Sequence, residues 1–227
     1  MCGRFALATD KKVLEMLYEI VMREELTPRY NIAPSQEILA IRYLPEAGKR
    51  EAVNLKWGLV PFWAEDPAIG NRMINARAET APQKPSFRDA FKKRRLLIPA
   101  TGFYEWKKEE GAKQPFFICR KDGQPFSLAG LWERWDKGDQ GLETCTIITT
   151  EPNSLVAPLH NRMPVIIPRE AYEHWLNPVA EKSHLTSLLK PYPPEEMVAY
   201  PVSHQVNNPA HDGPDLLTPV NGQSQSN

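Results

Sequence analysis

The chain has 227 residues and is formally neutral, with 28 Lys and Arg against 28 Asp and Glu. No global field therefore draws it to nucleic acid or to an anionic membrane, and any polyanion site has to be a local patch. Three cysteines (Cys2, Cys119 and Cys145) lack paired metal-ligand spacing, which argues against a metal centre and suits a reducing cytoplasm. No apolar stretch has the length of a signal peptide or a membrane span, so the expectation is a soluble, cytoplasmic protein. The length permits one large domain with a sizeable core, and no linker divides it.

In chain order, Thr9 to Val21 is the clearest helix. Thr9 or Asp10 can cap it, and Val13, Leu17, Ile20 and Val21 share a face. Arg29 to Pro34 reads as a polar loop entering a strand at Ile38–Arg42. Val53 to Trp57 alternates as a strand, and Gly58 to Pro67 is a turn rich in aromatics and proline. Ser86 is placed to cap a short helix from Phe87 to Lys93, which runs into strand Leu96–Pro99. Gly102–Trp106, Pro115–Cys119, Phe126–Leu131 and Thr144–Thr149 are further short strands. The Glu-Glu-Gly and Lys-Asp-Gly segments between them read as hairpin turns. Cys119 and Cys145 fall in apolar alternating runs and read as buried. Asn153 is placed to cap a helix to about Leu159. Met163–Ile167 is a strand, Pro168 starts a helix through Trp175, Glu181–Leu189 is helical, and Met197–Val202 is a last strand. The 22 dispersed prolines suit short strands and irregular loops. Strands without alternating long helices argue against a doubly wound parallel sheet. They indicate an α+β fold built on curved, mainly antiparallel β-sheets, barrel-like, with flanking short helices.

The start of the chain, Met-Cys-Gly-Arg-Phe, carries distinctive chemistry. Removal of Met1, which a small second residue permits, leaves Cys2 with a free α-amine beside its thiol. That aminothiol condenses with an aldehyde to an imine, and the thiol then closes a five-membered ring. An unperturbed α-amine titrates near ~8 and a thiol near ~8.5, so both are partly reactive at neutral pH. Four other segments look too polar or too aromatic for their settings. In Ile-Asn-Ala-Arg-Ala-Glu-Thr, Asn75 and Arg77 point to one side of an extended segment, although a loop amide and a surface arginine would read the same. Gly-Phe-Tyr-Glu-Trp places Glu105 in an aromatic strand, where it either faces water or is buried with a raised pKa suited to acid–base work. Leu-His-Asn-Arg-Met-Pro sets His160 at a junction with Arg162 close by; a structural hydrogen bond is the plainer role for a lone histidine. Trp-Gly-Leu-Val-Pro-Phe-Trp presents Trp57, Phe62 and Trp63, of which Trp57 suits the core.

Together with Arg-Tyr-Asn-Ile-Ala-Pro, these segments form six motifs in order, and on them the chain resembles the SRAP family. These SOS-response-associated peptidases are abasic-site shield proteins of bacteria and eukaryotes. The resemblance covers nearly everything except the last dozen residues, which implies a SRAP-like domain over 1–220 and a flexible polar tail over 221–227. It also implies that Cys2 is the crosslinking nucleophile, that Asn75 positions it, and that Glu105 and His160 are acid–base groups. Arg4, Arg77 and Arg162 would hold DNA phosphates in one groove, and Trp63 or Phe62 would stack on a neighbouring base. The charged run from Lys84 to Arg95 either adds to that groove or is a solvated helix face. The implied partner is single-stranded DNA containing abasic sites, bound by a monomer with no cofactor, metal or membrane. The implied activity is covalent capture of the lesion as a thiazolidine by lyase-like imine chemistry, which shields the strand from cleavage. Two alternatives stand beside it: a cysteine peptidase using Cys2, His160 and Asn75, and a non-covalent reader of modified DNA bases in which Cys2 is incidental.

Overall fold

The computed structural model describes residues 2–109, 111–137 and 141–220; Met1 and the expected tail over 221–227 lie outside them. In chain order the elements are β1 (Phe5–Leu7), α1 (Lys11–Tyr18), β2 (Arg29–Ile32), β3 (Glu37–Leu44), β4 (Lys49–Trp57), β5 (Asn75–Arg77), α2 (Arg88–Lys93), β6 (Arg95–Ala100), β7 (Gly102–Glu109), β8 (Ala112–Arg120), β9 (Phe126–Trp135), β10 (Leu142–Thr150), β11 (Met163–Pro164), α3 (Tyr172–Leu176), α4 (Lys182–Ser187) and β12 (Met197–Pro201).

The longer strands close on themselves. β4, β3, β6, β9 and β10 pair in that order, and β10 returns to β4 through a parallel contact at Cys145 and Trp57. The result is a five-stranded barrel, antiparallel except at that closure, with β5 and β11 appended to β10. Closure removes the exposed edges that an open sheet would present. A second, wholly antiparallel sheet runs β12-β8-β7-β1-β2. The fold is α+β, as its strand-rich pattern indicates.

The second sheet is buried on both faces, and strand alternation explains how. Phe103 and Ile118 face the main core with Phe5, Trp57 and Phe126, whereas Ala6, Tyr104 and Phe117 face a smaller core closed by Val202, Val206 and Leu216. The Phe5 ring meets Trp57 edge-on at 5.4 Å, and Phe103 lies 6.1 Å from Phe126, so aromatic contacts join sheet and barrel. Asn31 ties the C-terminal segment down by donating to the carbonyl oxygens of Asn208 and His211 at 3.0 and 2.7 Å. Among the described residues, no helix is long and apolar enough to cross a membrane.

Several local expectations are corrected. The first helix stops at Tyr18, because Glu19 adopts a left-handed conformation with φ 57°, and Asp10, not Thr9, is its cap. Residues 29–32 are a strand rather than a loop, since their backbone pairs with β1. Ser86 caps nothing: Phe87 precedes α2 without a side-chain bond. Lys121-Asp122-Gly123 is not a hairpin turn, because β8 and β9 belong to different sheets. Asn153 does accept from the Val156 N–H at 3.0 Å, but the segment after it is a turn. Only Met163 and Pro164 pair as a strand, with a further bridge at Ile166. Cys119 is half-buried rather than buried, whereas Cys145 is fully enclosed; all three cysteines are free. Arg95 is buried, with its guanidinium donating to the carbonyl oxygens of Phe91, Lys92, Trp175 and Asn177. It braces the end of α2 and is not a surface cation.

Candidate functional site

The pairing of β1 with β7 brings the start of the chain to Glu105. Phe5 lies opposite Phe103, and the Tyr104 N–H donates to the Arg4 carbonyl at 2.9 Å. Extended in that register, the first residues run along β7 toward Glu105 and Trp106. Alternation puts Glu105 on the same side as Phe103, toward the main core. Glu105 is 2% exposed and Cys2 is fully buried. Burial raises the Glu105 carboxyl to about 8, because desolvation penalises the charged form. Burial also pushes the Cys2 thiol well above its ordinary value, and the nearby Glu105 charge adds to the effect. These two groups are therefore electrostatically coupled.

Asn75 lies on β5, the short strand appended to the barrel. β5 runs parallel to β10, with Asn75 opposite Ile147 and Arg77 opposite Thr149. Trp57 connects this strand to the other sheet: its indole N–H donates to the Ile74 carbonyl at 2.8 Å while its ring packs on Phe5. Both polar atoms of the Asn75 amide are buried and have no hydrogen-bond partner among the described residues. A buried amide in that state costs stability, which makes Asn75 a candidate for contact with a bound group. Arg77 is exposed on the same strand.

His160 follows the turn capped by Asn153. Its Nδ1 lies 3.0 Å from the Arg162 N–H and 3.2 Å from the Arg162 carbonyl oxygen. The first contact suits a bare Nδ1 and the second a protonated one, so the Arg162 backbone accommodates either tautomer. Burial lowers the His160 pKa, helped by the positive charges of Arg162 and of Lys108 on β7. Imidazole and β7 are thus within electrostatic reach of each other. Glu105 and His160 are displaced in opposite directions: burial raises the carboxyl and lowers the imidazole.

The expected phosphate contacts are less uniform. The Arg4 guanidinium is half-buried, lies 5.9 Å from the Trp106 ring centre, and donates from Nη1 to Asn31 Oδ1 and the Val206 carbonyl, both at 2.7 Å. It is engaged with the C-terminal segment. Arg162 donates from Nη1 and Nη2 to the two carboxylate oxygens of Glu79 at 2.7 and 3.0 Å. Sequence reasoning passed over Glu79; the only signal was its place in the Asn-Ala-Arg-Ala-Glu segment, and its partner is 83 positions away.

The aromatic turn is rigid but outward. Gly58 has φ 135°, and a Cβ there would lie 2.7 Å from the Gly70 carbonyl oxygen, so only glycine permits this close backbone crossing. Trp135 Nε1 donates to the Ala64 carbonyl at 2.8 Å, and Lys137 reaches the Trp63 carbonyl at 3.2 Å. Phe62 and Trp63 nonetheless remain 50% and 42% exposed. Phe62 also borders a cavity of about 380 Å³ with Lys92, Lys93 and Arg94.

A family model described as SOS response associated peptidase (SRAP) matches residues 1–209. "Abasic site processing protein YoqW" of Bacillus subtilis is 44% identical over 223 residues, spanning 96% of this chain and 99% of the relative. "Abasic site processing protein YedK" of Escherichia coli is 32% identical, with 97% and 100% coverage. "Abasic site processing protein HMCES" of Gallus gallus is 30% identical over 97% of this chain and 78% of its own length. A crystal structure of a Bacteroides thetaiotaomicron protein superposes with a TM-score of 0.86 at 31% identity, covering 96% of this chain and all of the other. Fold, motifs and relatives agree, and the chain belongs to the SOS response associated peptidase family.

Proposed function

We propose that this protein processes abasic sites in single-stranded DNA by bonding the lesion to Cys2 after Met1 is removed. The observation that carries the reading is the fully buried Cys2 beside a buried Glu105 carboxyl, whose affinity for its proton burial raises. The names of the relatives supply the substrate class. The setting is the cytoplasm, and the acting species is a monomer.

An abasic deoxyribose exists largely as a closed ring. Opening it needs a proton taken from the C1′ hydroxyl and another delivered to the ring oxygen as the C1′–O4′ bond breaks. His160, neutral at pH 7, takes the first; Glu105 delivers the second. The Cys2 amine then adds to the C1′ aldehyde, and water leaves to give an imine. The thiol adds to the imine carbon, and its proton passes to the nitrogen. The product is a thiazolidine, formed with net loss of one water. It removes the imine that would otherwise promote β-elimination and strand cleavage. The unpartnered Asn75 amide orients the amine without protonating it. Arg77 and Arg162 hold backbone phosphates. Arg4 contributes at the margin through the donors its internal bonds leave over. Trp63 or Phe62 stacks on a flanking base.

The peptidase alternative is disfavoured by the thiol. A cysteine peptidase attacks with a thiolate, which requires a lowered pKa; burial and Glu105 push Cys2 the other way. In amine-first capture the thiol enters last, on an already activated carbon.

The test incubates wild type, Cys2→Ala and Cys2→Ser with an abasic single-stranded oligonucleotide and resolves heated samples on a denaturing gel. Wild type yields a heat-stable adduct and Cys2→Ala yields none. Cys2→Ser retains only the imine and shows strand cleavage. Equal adduct from wild type and Cys2→Ala overturns the proposal.

A further inference from the structure

Arg162 lies beside His160, yet its charge is already taken. The two contacts to Glu79 form a planar fork on a carboxylate, the same geometry by which a guanidinium grips a phosphate. Behind the fork, Nη2 also donates to the Thr149 carbonyl, and Nε is buried. The Arg162 side chain is 16% exposed and that of Glu79 is 53% exposed. The arginine is therefore anchored from behind, and the carboxylate stands at the open end. Glu79 also borders a cavity of about 390 Å³ with Ala78, Gln83, Thr150 and Lys182, which leaves its side chain room to move. Arg162 and Arg77 both act on Glu79 electrostatically and hold its carboxyl below the ordinary range. One anion thus offsets two of the cations expected to meet DNA.

We propose that Glu79 is an internal competitor for the DNA backbone, occupying the Arg162 fork in the free protein and yielding it to a phosphate when a strand enters. The inference rests on the reading of this region as a single-strand DNA site, and adds to it a determinant of selectivity. The carboxylate is the solvent-facing partner of the pair, and a phosphate offers the guanidinium the same two-oxygen geometry, so exchange for phosphate is accessible. The exchange makes non-covalent binding to intact DNA weak, because each phosphate gained at Arg162 costs a contact already made. Retention then depends on the covalent bond, which forms only at a lesion.

The experiment measures equilibrium binding of undamaged fluorescent oligothymidylate across a range of salt, by anisotropy. The proteins are wild type, Glu79→Gln, Glu79→Asp, Arg162→Met and the Glu79→Gln/Arg162→Met double variant. Glu79→Gln binds roughly three- to tenfold tighter at low salt, with a log–log slope steeper by up to about 0.7. Glu79→Asp keeps the charge and stays close to wild type. The gain disappears in the Arg162→Met background. Unchanged or weaker binding by Glu79→Gln overturns the proposal, since Glu79 would then only brace Arg162. A gain that survives Arg162→Met also overturns it, since the effect would be surface charge alone. Covalent capture is read separately, as adduct between wild type and an abasic oligonucleotide. Its absence counts against the proposed function whatever the affinity ratio between Glu79→Gln and wild type.

Discussion

The side of the site built from the antiparallel sheet is dry, whereas the side built from the barrel edge is ion-paired and partly open. Cys2 and Glu105 are enclosed, and burial displaces the titration of both. Arg77 and Glu79 are exposed, and Glu79 shares its charge with a half-buried Arg162. The difference separates two jobs. A dry wall shifts proton affinities far enough to hold a carboxylic acid neutral at pH 7. A wet, paired wall exchanges partners easily and suits reversible contact with a polyanion.

Glu105→Gln is the strongest test of the dry side short of deleting Cys2. The variant keeps the shape but delivers no proton, so capture slows by about 10²- to 10⁴-fold, read as the single-turnover rate of adduct formation. The same residue leaves a mark on stability. With its native pKa raised from 4.5 to about 8, the folded protein binds more protons than the unfolded chain between those values. Stability therefore falls as pH rises through that window and is level above it. A shift of that size corresponds to an upper bound of roughly 4–5 kcal/mol. Denaturant melts at pH 5 and pH 9 should show the fall in wild type and not in Glu105→Gln. A wild type as stable at pH 9 as at pH 5 would mean that the wall is not dry.

Asn75→Ala pulls stability and function apart. Removing a buried amide without partners relieves its desolvation cost and offsets the cavity left behind, so the variant stays within about 1 kcal/mol of wild type. Capture nonetheless slows, because the amine loses its orienting contact. A destabilised variant with normal capture would show that the amide serves the fold. The smallest effect is expected at Arg77→Ala. It should flatten the salt dependence of capture by roughly 0.7 in log–log slope without abolishing the adduct. Identical slopes would place Arg77 off the strand's path.

Legibility in the sequence follows the range of the interactions. The strand-rich α+β class was readable because alternation is local. The Lys-Asp-Gly turn misled because an Asp-Gly signal says that the chain reverses, not which sheet it joins next. The strand read at Met163–Ile167 is cut to two residues because the chain beyond Pro164 leaves β10 for β9, where Ile166 bridges Leu128. Among the candidate site residues, Cys2, Asn75, Glu105 and His160 stood out as chemistry in unexpected settings and through the family resemblance. Glu79 did not, because its meaning lies in a partner 83 residues away. Nor could sequence show that the Arg4 guanidinium is engaged with Asn31 and Val206.

The central claim is that the amine and the thiol of Cys2 both bond to one carbon of the lesion. Intact mass of the protein after incubation with abasic single-stranded DNA tests it most directly. The account predicts the mass of the chain without Met1 plus the oligonucleotide less one water, stable to heat. A chain with one residue inserted before Cys2 to block Met1 processing, its thiol intact, should give no such species. The same adduct from the blocked protein would contradict the account, because the α-amine would then have no part in the bond.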